Sequence, residues 1–150
     1  MTLTGISQYM DQPTKKMIET LIKRKRKYEA FARQCKRWQW TALLSLAILI
    51  FYLVISANVH GQLQPEGMIA TLLGNELFLF WIMAEVFAFY ASYFYKKKEE
   101  KAEDEYHKLR CEIIQKSTDL WPQSDTWKDR EAVFRFMQTN YDINLYFESK

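Results

Sequence analysis

Lysine and arginine are absent from one continuous stretch of the sequence, residues 38–95, although the chain contains 21 of them elsewhere. Two long apolar runs lie inside this stretch, and clusters of basic residues lie directly outside both of its ends. Cytoplasmic segments next to membrane spans carry an excess of Lys and Arg. The pattern therefore predicts a helical hairpin that crosses a membrane twice, with both termini in the cytoplasm.

The first apolar run, residues 38–57, contains no charged residue. At about 1.5 Å per residue, a helix of this length matches a hydrocarbon core roughly 30 Å thick. Trp38 and Trp40 lie where interfacial aromatic residues are expected, next to Lys36 and Arg37. A cleaved signal peptide is disfavoured because a long charged segment precedes the run and a second apolar run follows it.

The second apolar run, residues 77–95, carries Glu85 close to its middle. A central carboxylate costs about 2.5–3.5 kcal/mol on insertion scales, whereas each Leu, Ile, Phe or Val returns about 0.3–0.6 kcal/mol. The many phenylalanines and aliphatic residues around Glu85 bring the net free energy of insertion close to zero. We expect a second span, preceded by a short external loop and interfacial segment over 58–76 that is too small to hold a binding domain.

The amino-terminal arm, residues 1–37, is predicted to be a basic cytoplasmic helix. Asp11 or Thr14 can cap it, and its apolar residues recur at heptad spacing into the first run, so one helix from about Thr14 to Ala57 is expected. Its basic residues favour contact with anionic lipid headgroups over contact with nucleic acid, because they lie close to the predicted bilayer. The candidate lipid contacts in the whole chain are Lys23, Arg24, Lys25, Arg26, Lys27, Lys36, Arg37, Lys96, Lys97 and Lys98.

The carboxy-terminal region, residues 96–150, is also predicted to be cytoplasmic and helical. The second span should continue as a helix past Tyr95, since no Gly or Pro occurs before Pro122. A narrow apolar seam at Ala102, Tyr106, Leu109 and Ile113 predicts coiled-coil pairing with the amino-terminal arm. A third, amphipathic helix is expected at Trp127–Thr139 and should pack on the hairpin. The aromatic residues of this region are candidates for binding a partner, although packing on the protein's own hairpin is their favoured use: Trp121, Trp127, Phe134, Phe136, Tyr141, Tyr146 and Phe147.

Glu85 is the main candidate for function, because ionisable groups at bilayer depth often mark functional sites. Ala84, Ala88 and Ser92 form a ridge of small residues at helical spacing, which favours close helix packing. In one interpretation Glu85 hydrogen-bonds a neighbour in the first span, such as Ser45 or Tyr52. In the other it lines a polar path for protons or cations, which requires an oligomer.

No sequence motif for an enzyme or a cofactor is present: GxxxxGK[ST], GxGxxG, HExxH and GxSxG are all absent. Cys35 and Cys111 are expected to be free thiols, because their predicted depths differ by roughly 20 Å and the cytoplasm is reducing. His107 and Cys111 lie four residues apart without a further nearby ligand, so no metal site is predicted. We therefore expect neither catalysis nor a bound cofactor.

The chain resembles a family of small, uncharacterised two-span membrane proteins of Bacillus-type bacteria, the YpbF-like proteins. The resemblance lies in the length, the segment TKKMIETLIKRKRKYE, the pair Trp121-Pro122 and the ending INLYFESK. It implies a bacterial plasma membrane and no established activity. The architecture is also similar to that of two-span effector domains of bacterial defence systems, which are thought to form pores.

These observations predict an all-α membrane protein, with a two-helix transmembrane hairpin, cytoplasmic helical extensions and a carboxy-terminal amphipathic helix. The expected function is a non-enzymatic interaction or regulatory module of the plasma membrane. We expect self-association and an unidentified cytoplasmic or membrane protein partner. The alternative is an oligomeric pore or ion-conducting effector that uses Glu85.

Overall fold

The computed structural model describes residues 9–60, 66–67, 69, 74, 76–122 and 126–148. In these ranges the protein is helical and contains no strand, which confirms the predicted all-α class. The helices are α1 (Gln12–His60), α2 (Glu76–Gln115), the short α3 (Ser117–Leu120) and α4 (Trp127–Tyr141). Most of the predicted external loop over 58–76, including Pro65, lies outside the described residues.

Both long helices are uninterrupted, as the sequence predicts. Helix α1 begins just after Asp11, whose carbonyl accepts a hydrogen bond from the Lys15 amide at 2.9 Å. It runs for 49 residues and ends just before Gly61. Helix α2 runs for 40 residues, and neither Gly nor Pro occurs within it. Because nothing in these stretches breaks the backbone hydrogen-bond ladder, the apolar runs and the charged extensions share the same helices.

The chain divides into two compact units, and the division falls within both long helices. We call residues 1–29 and 100–150 the terminal unit, and residues 30–99 the hairpin unit. The terminal unit contains the start of α1, the end of α2, and α3 and α4. The hairpin unit contains the two apolar runs.

The terminal unit has a hydrophobic core to which α1, α2 and α4 all contribute. The seam predicted on α2 is buried, with Ala102, Tyr106, Leu109 and Ile113 at most 7% exposed. On α1 the buried residues are Ile18, Leu21 and Ile22, and the Tyr28 ring stacks on Tyr106 at 6.4 Å. Burial of each large apolar side chain stabilises the fold by about 1.5–3 kcal/mol. Helices α1 and α2 therefore pack together in this unit, while the coiled-coil geometry of their pairing stays a prediction.

Helix α4 packs on this core through Val133, Phe134, Phe136 and Met137. It extends two residues beyond the predicted end at Thr139 and stops where Asp142 adopts a left-handed conformation, with φ 53° and ψ 41°. Such a turn at a helix end lets the chain fold back. The following residues Ile143 and Leu145 are fully buried.

Burial divides the aromatic residues that the sequence assigns either to packing or to partner binding. Trp121, Phe134 and Phe136 are at most 8% exposed, since they fill the core of the terminal unit. Within the predicted set, Trp127, Tyr146 and Phe147 are 40%, 40% and 67% exposed, so they keep a surface that a partner can contact.

The hairpin unit is a pair of helices joined along one narrow seam. On α1 the buried residues Cys35, Ala42 and Leu49 recur every seven positions, and on α2 Phe78 and Glu85 do the same. This is the heptad spacing of paired helices. Most other large side chains of the apolar runs are exposed, including Leu43, Leu44, Ile48, Phe51, Val54, Leu77, Phe80, Met83, Val86, Phe87 and Tyr90.

Candidate functional site

Glu85 lies on the seam of the hairpin unit. Two contacts set the register of the helices: the Cys35 thiol faces the Ser92 carbonyl at 3.9 Å, and the Trp81 indole N–H donates to Ser45 Oγ at 2.9 Å. In antiparallel helices this register puts Glu85 at the level of Ala42, which is 2% exposed. The small side chain of Ala42 leaves room for the carboxyl group between the helices.

The Glu85 carboxyl group is buried and has no hydrogen-bond partner among the described residues. The residue is 7% exposed, and neither Oε1 nor Oε2 has a partner. Of the two neighbours proposed from the sequence, Ser45 accepts the Trp81 indole N–H, and the Tyr52 ring packs on Phe78 at 5.1 Å. The predicted hydrogen bond to Ser45 or Tyr52 is therefore wrong for this structure.

The predicted ridge of small residues lies only partly in the seam. Ala84 is exposed, whereas Ala88 and Ser92 are half-buried. Ala84 is therefore not part of the contact between α1 and α2, and the ridge faces away from the seam at this end.

Several of the basic residues between Lys23 and Lys27 make contacts inside the terminal unit. Lys25 Nζ donates to the carbonyls of Tyr141 at 2.6 Å and Asp142 at 2.5 Å. The Lys25 side chain is only 12% exposed. A cation at a helix carboxy terminus satisfies the last carbonyls and interacts favourably with the helix dipole. Lys25 therefore fixes the end of α4 and offers little surface to a lipid headgroup.

The neighbours of Lys25 in the sequence hold α1 against other parts of the same unit. Arg24 donates to the backbone carbonyl of Glu105 at 2.7 Å, and Lys27 pairs with the Glu105 carboxylate at 3.3 Å. The Arg26 guanidinium lies 5.8 Å from the centre of the Tyr141 ring. Lys23 is exposed. The sequence reveals the charge of this cluster but not the partners that the fold provides for it.

The basic residues of the hairpin unit lie at the ends of the predicted spans. Lys36 and Arg37 are exposed. Lys96 pairs with Glu99 at 3.3 Å, while Lys97 and Lys98 lie over the rings of Tyr93 and Phe94 at 4.9 and 4.4 Å. These contacts are compatible with side chains that keep an ammonium group at a membrane surface.

Sequence reasoning overlooked two arginines. Arg110 is 5% exposed, and its guanidinium donates to the carbonyls of Phe147 and Glu148, which holds the carboxy-terminal segment on the core. Arg33 lines a surface depression beside Arg37. The positive charge of both residues was visible in the sequence, but only the fold shows what they face.

The two cysteines are free thiols. Burial raises the pKa of the Cys35 thiol, and the Glu99 carboxylate raises it further. Cys35 is thus held as a protonated thiol that packs in the seam, without the thiolate character of a reactive cysteine. Where the structure is described, it brings no three His, Cys, Asp or Glu side chains together in a metal-binding arrangement.

A family model described as "Protein of unknown function (DUF2663)" matches residues 17–148. The chain belongs to the DUF2663 family. It is 51% identical, over 145 residues, to the "Uncharacterized protein YpbF" of Bacillus subtilis (strain 168), which confirms the resemblance found in the sequence. The alignment covers 97% of this chain and 95% of the relative. No solved structure matches the chain.

The DUF2663 match extends over both long helices and α4. It therefore includes the two apolar runs, Glu85 and the basic residues at both ends of the runs. Two helices in the described part of this DUF2663 protein, α1 and α2, are long and apolar enough to cross a membrane.

Proposed function

We propose that this protein is an integral protein of the bacterial plasma membrane whose hairpin unit crosses the bilayer twice, and whose terminal unit is a non-enzymatic interaction or regulatory module. The observation that carries the proposal is the exposure of the apolar runs. Only 11% of the most apolar window of α1 and 17% of that of α2 are buried. The apolar helices of a soluble core would instead be mostly buried, and contiguous exposed apolar surface of this extent requires a lipid or protein environment.

The distribution of charge supports an orientation with both termini in the cytoplasm. The basic residues lie at the ends of the runs that adjoin the two arms, and none lies between residues 38 and 95. Cytoplasmic leaflets attract such residues, at about 1 kcal/mol for each Lys or Arg near the surface. We assign the lipid contacts to the residues outside the terminal core: Lys23, Lys36, Arg37, Lys96, Lys97 and Lys98.

The remaining exposed aromatic residues of the terminal unit support an interaction role. Trp127 is covered on one face by the Arg130 guanidinium, 3.4 Å from its ring centre. Tyr146 packs edge-on against the buried Phe134 at 5.5 Å, while Phe147 is 67% exposed. Rigidly held aromatic and arginine side chains are typical anchors of protein interfaces. We propose that a cytoplasmic or membrane protein binds here and that the hairpin also self-associates.

The alternative function, an oligomeric pore, relies on Glu85. The carboxyl group is buried between α1 and α2, and no other charged residue occurs within residues 38–57 or 77–95. A pore would therefore need the helices to separate and present Glu85 to a lumen. This rearrangement would cost the packing of the seam, so the closed hairpin favours the interaction module.

Crosslinking and pull-down of the full chain from native membranes test the interaction role. We expect a reproducible crosslinked product that is lost when Trp127 and Phe147 are both replaced by Ala. A variant with Leu43 and Val54 replaced by Ala is the matched control, since both are exposed apolar residues of the hairpin unit. Equal loss in both variants would contradict the assignment of this surface.

Flux through liposomes that contain the purified protein separates the module from the pore. We expect no proton or cation leakage from the wild type. Leakage that is abolished in Glu85→Gln would overturn the interaction module in favour of the pore. A stable monomer in detergent, without flux, would overturn the pore.

A further inference from the structure

A shallow depression lies in the hairpin unit where the two predicted spans end. Its volume is about 360 Å³, and it is lined by Ala30, Phe31, Arg33, Gln34, Arg37 and Tyr95. Arg37 directly precedes the first predicted span, and Tyr95 is the last residue of the second. The depression is thus built from both helices at the expected level of the lipid headgroups.

The lining has the chemistry of a site for a phosphate group. Arg33 and Arg37 lie four residues apart on α1, so their side chains share one face of the helix. Guanidinium groups bind phosphate oxygens through paired N–H donors, and both arginines line the depression.

The other lining residues complete such a site. The Gln34 amide and the Tyr95 hydroxyl are further hydrogen-bond donors. Phe31 is half-buried and offers an apolar wall, and the small side chain of Ala30 keeps the depression open. The volume suits a headgroup rather than a folded partner.

We propose that Arg33, Gln34, Arg37 and Tyr95 bind the phosphodiester headgroup of an anionic phospholipid such as phosphatidylglycerol. This inference rests on the proposed insertion of the hairpin in a membrane. The position of the depression at the ends of both spans favours a lipid over a free anion, because the acyl chains can then lie along the exposed apolar faces of the helices.

The test is a titration of the detergent-solubilised full chain with short-chain phosphatidylglycerol or phosphatidylcholine, with bound lipids counted by native mass spectrometry. We expect tighter binding of phosphatidylglycerol. Its affinity should fall roughly 30-fold in Arg33→Gln/Arg37→Gln, which corresponds to about 2 kcal/mol for two basic residues. Arg33→Lys/Arg37→Lys keeps the charge but loses the paired donors, so binding should weaken less.

Lys15→Gln/Lys16→Gln is the matched control, because it also removes two positive charges from α1, but from the start of the helix and away from the depression. An equal loss of affinity in this control would overturn the site in favour of a general charge effect. Competition by inorganic phosphate or glycerol phosphate as strong as that by the lipid would overturn the lipid as ligand. No preference for phosphatidylglycerol in the wild type would also overturn the proposal.

Flotation of the same proteins with liposomes of phosphatidylcholine, with and without phosphatidylglycerol, separates this proposal from the membrane proposal. We expect wild type and Arg33→Gln/Arg37→Gln to float with both liposomes after alkaline washing. Failure of the wild type to float would overturn membrane insertion itself and the headgroup site with it. Flotation of both proteins without selective binding would overturn only the headgroup site.

Discussion

Lys25 shows how neighbouring residues of one basic cluster take different roles. Its ammonium group fixes the carboxy end of α4, whereas Lys23, two positions earlier, is exposed. The sequence alone shows the same positive charge at both positions and does not distinguish their contacts. The difference arises because Tyr141 and Asp142, far along the chain, turn their carbonyls toward α1 at the end of α4.

Replacing Lys25 by Met should destabilise the terminal unit by about 1.5–3 kcal/mol, because two carbonyls lose a charged hydrogen-bond donor. Lys23→Met is the matched control and should change the free energy of unfolding by less than about 0.5 kcal/mol. Chemical unfolding of the full chain in mild detergent, followed by circular dichroism, measures both. Equal stability of Lys25→Met and Lys23→Met would show that the contacts of Lys25 contribute nothing.

Tyr106 gives the terminal unit a dependence on alkaline pH. Burial in the core raises the pKa of its phenol above the ordinary value, with Arg110 opposing the effect. The neutral phenol thus favours the folded state. This contribution is fully present below the pKa of an unfolded tyrosine, about 10, and is lost as the pH rises through the folded pKa.

We therefore expect Tyr106→Phe, which cannot ionise, to lose less stability than the wild type when the pH rises above about 10. Below that pH the difference between the two proteins should be constant. Tyr146→Phe is the control, because it measures how the loss of an exposed tyrosine hydroxyl group changes stability. Parallel stability curves of wild type and Tyr106→Phe through the alkaline range would contradict the assignment.

At the scale of the helices, the narrow seam determines how α1 and α2 pair in the hairpin unit. Ala42 is the smallest residue of the seam on α1 and lies at the level of Glu85, so a larger side chain there would collide with α2. Ala47, on the exposed side of the same helix, has no such neighbour in the seam. The two alanines therefore allow a matched comparison.

Ala42→Leu should destabilise the hairpin by about 1–3 kcal/mol through overpacking, whereas Ala47→Leu should have little effect. Titration of the full chain from mild detergent into sodium dodecyl sulfate, followed by tryptophan fluorescence, measures the loss of the pairing. If the sodium dodecyl sulfate concentration at the midpoint of the transition is equal for the two variants, the helices do not pair through the face that contains Ala42.

The helices themselves could be predicted from the sequence, and their contacts only in part. The seam from Ala102 to Ile113 could be predicted because its apolar residues recur four, three and four positions apart among charged residues. The surroundings of Glu85 could not be predicted from the sequence. The Trp81 indole N–H donates to Ser45 Oγ, and the Glu85 carboxyl group has no hydrogen-bond partner among the described residues. The burial of Trp121 and Phe134 was also hidden, because it depends on the turn at Asp142 and on the packing of distant segments.

At the scale of the whole molecule, the division into two units agrees with the two kinds of sequence in each long helix. The terminal unit has a mixed charged surface and a core of its own, whereas the hairpin unit exposes mainly apolar side chains. Such a chain suits a protein that is anchored in a bilayer and folded outside it. The central claim is therefore the insertion of the hairpin with both arms in the cytoplasm.

Labelling of single cysteines in intact cells tests this claim most directly. In a chain with Cys35→Ser and Cys111→Ser, Asn58→Cys lies near the end of α1 between the two apolar runs, and Lys101→Cys lies on the charged extension of α2. Both positions are exposed. We predict that a membrane-impermeant maleimide labels Asn58→Cys in intact cells and labels Lys101→Cys only after permeabilisation. Labelling of Lys101→Cys in intact cells, or of Asn58→Cys only after permeabilisation, would contradict the account.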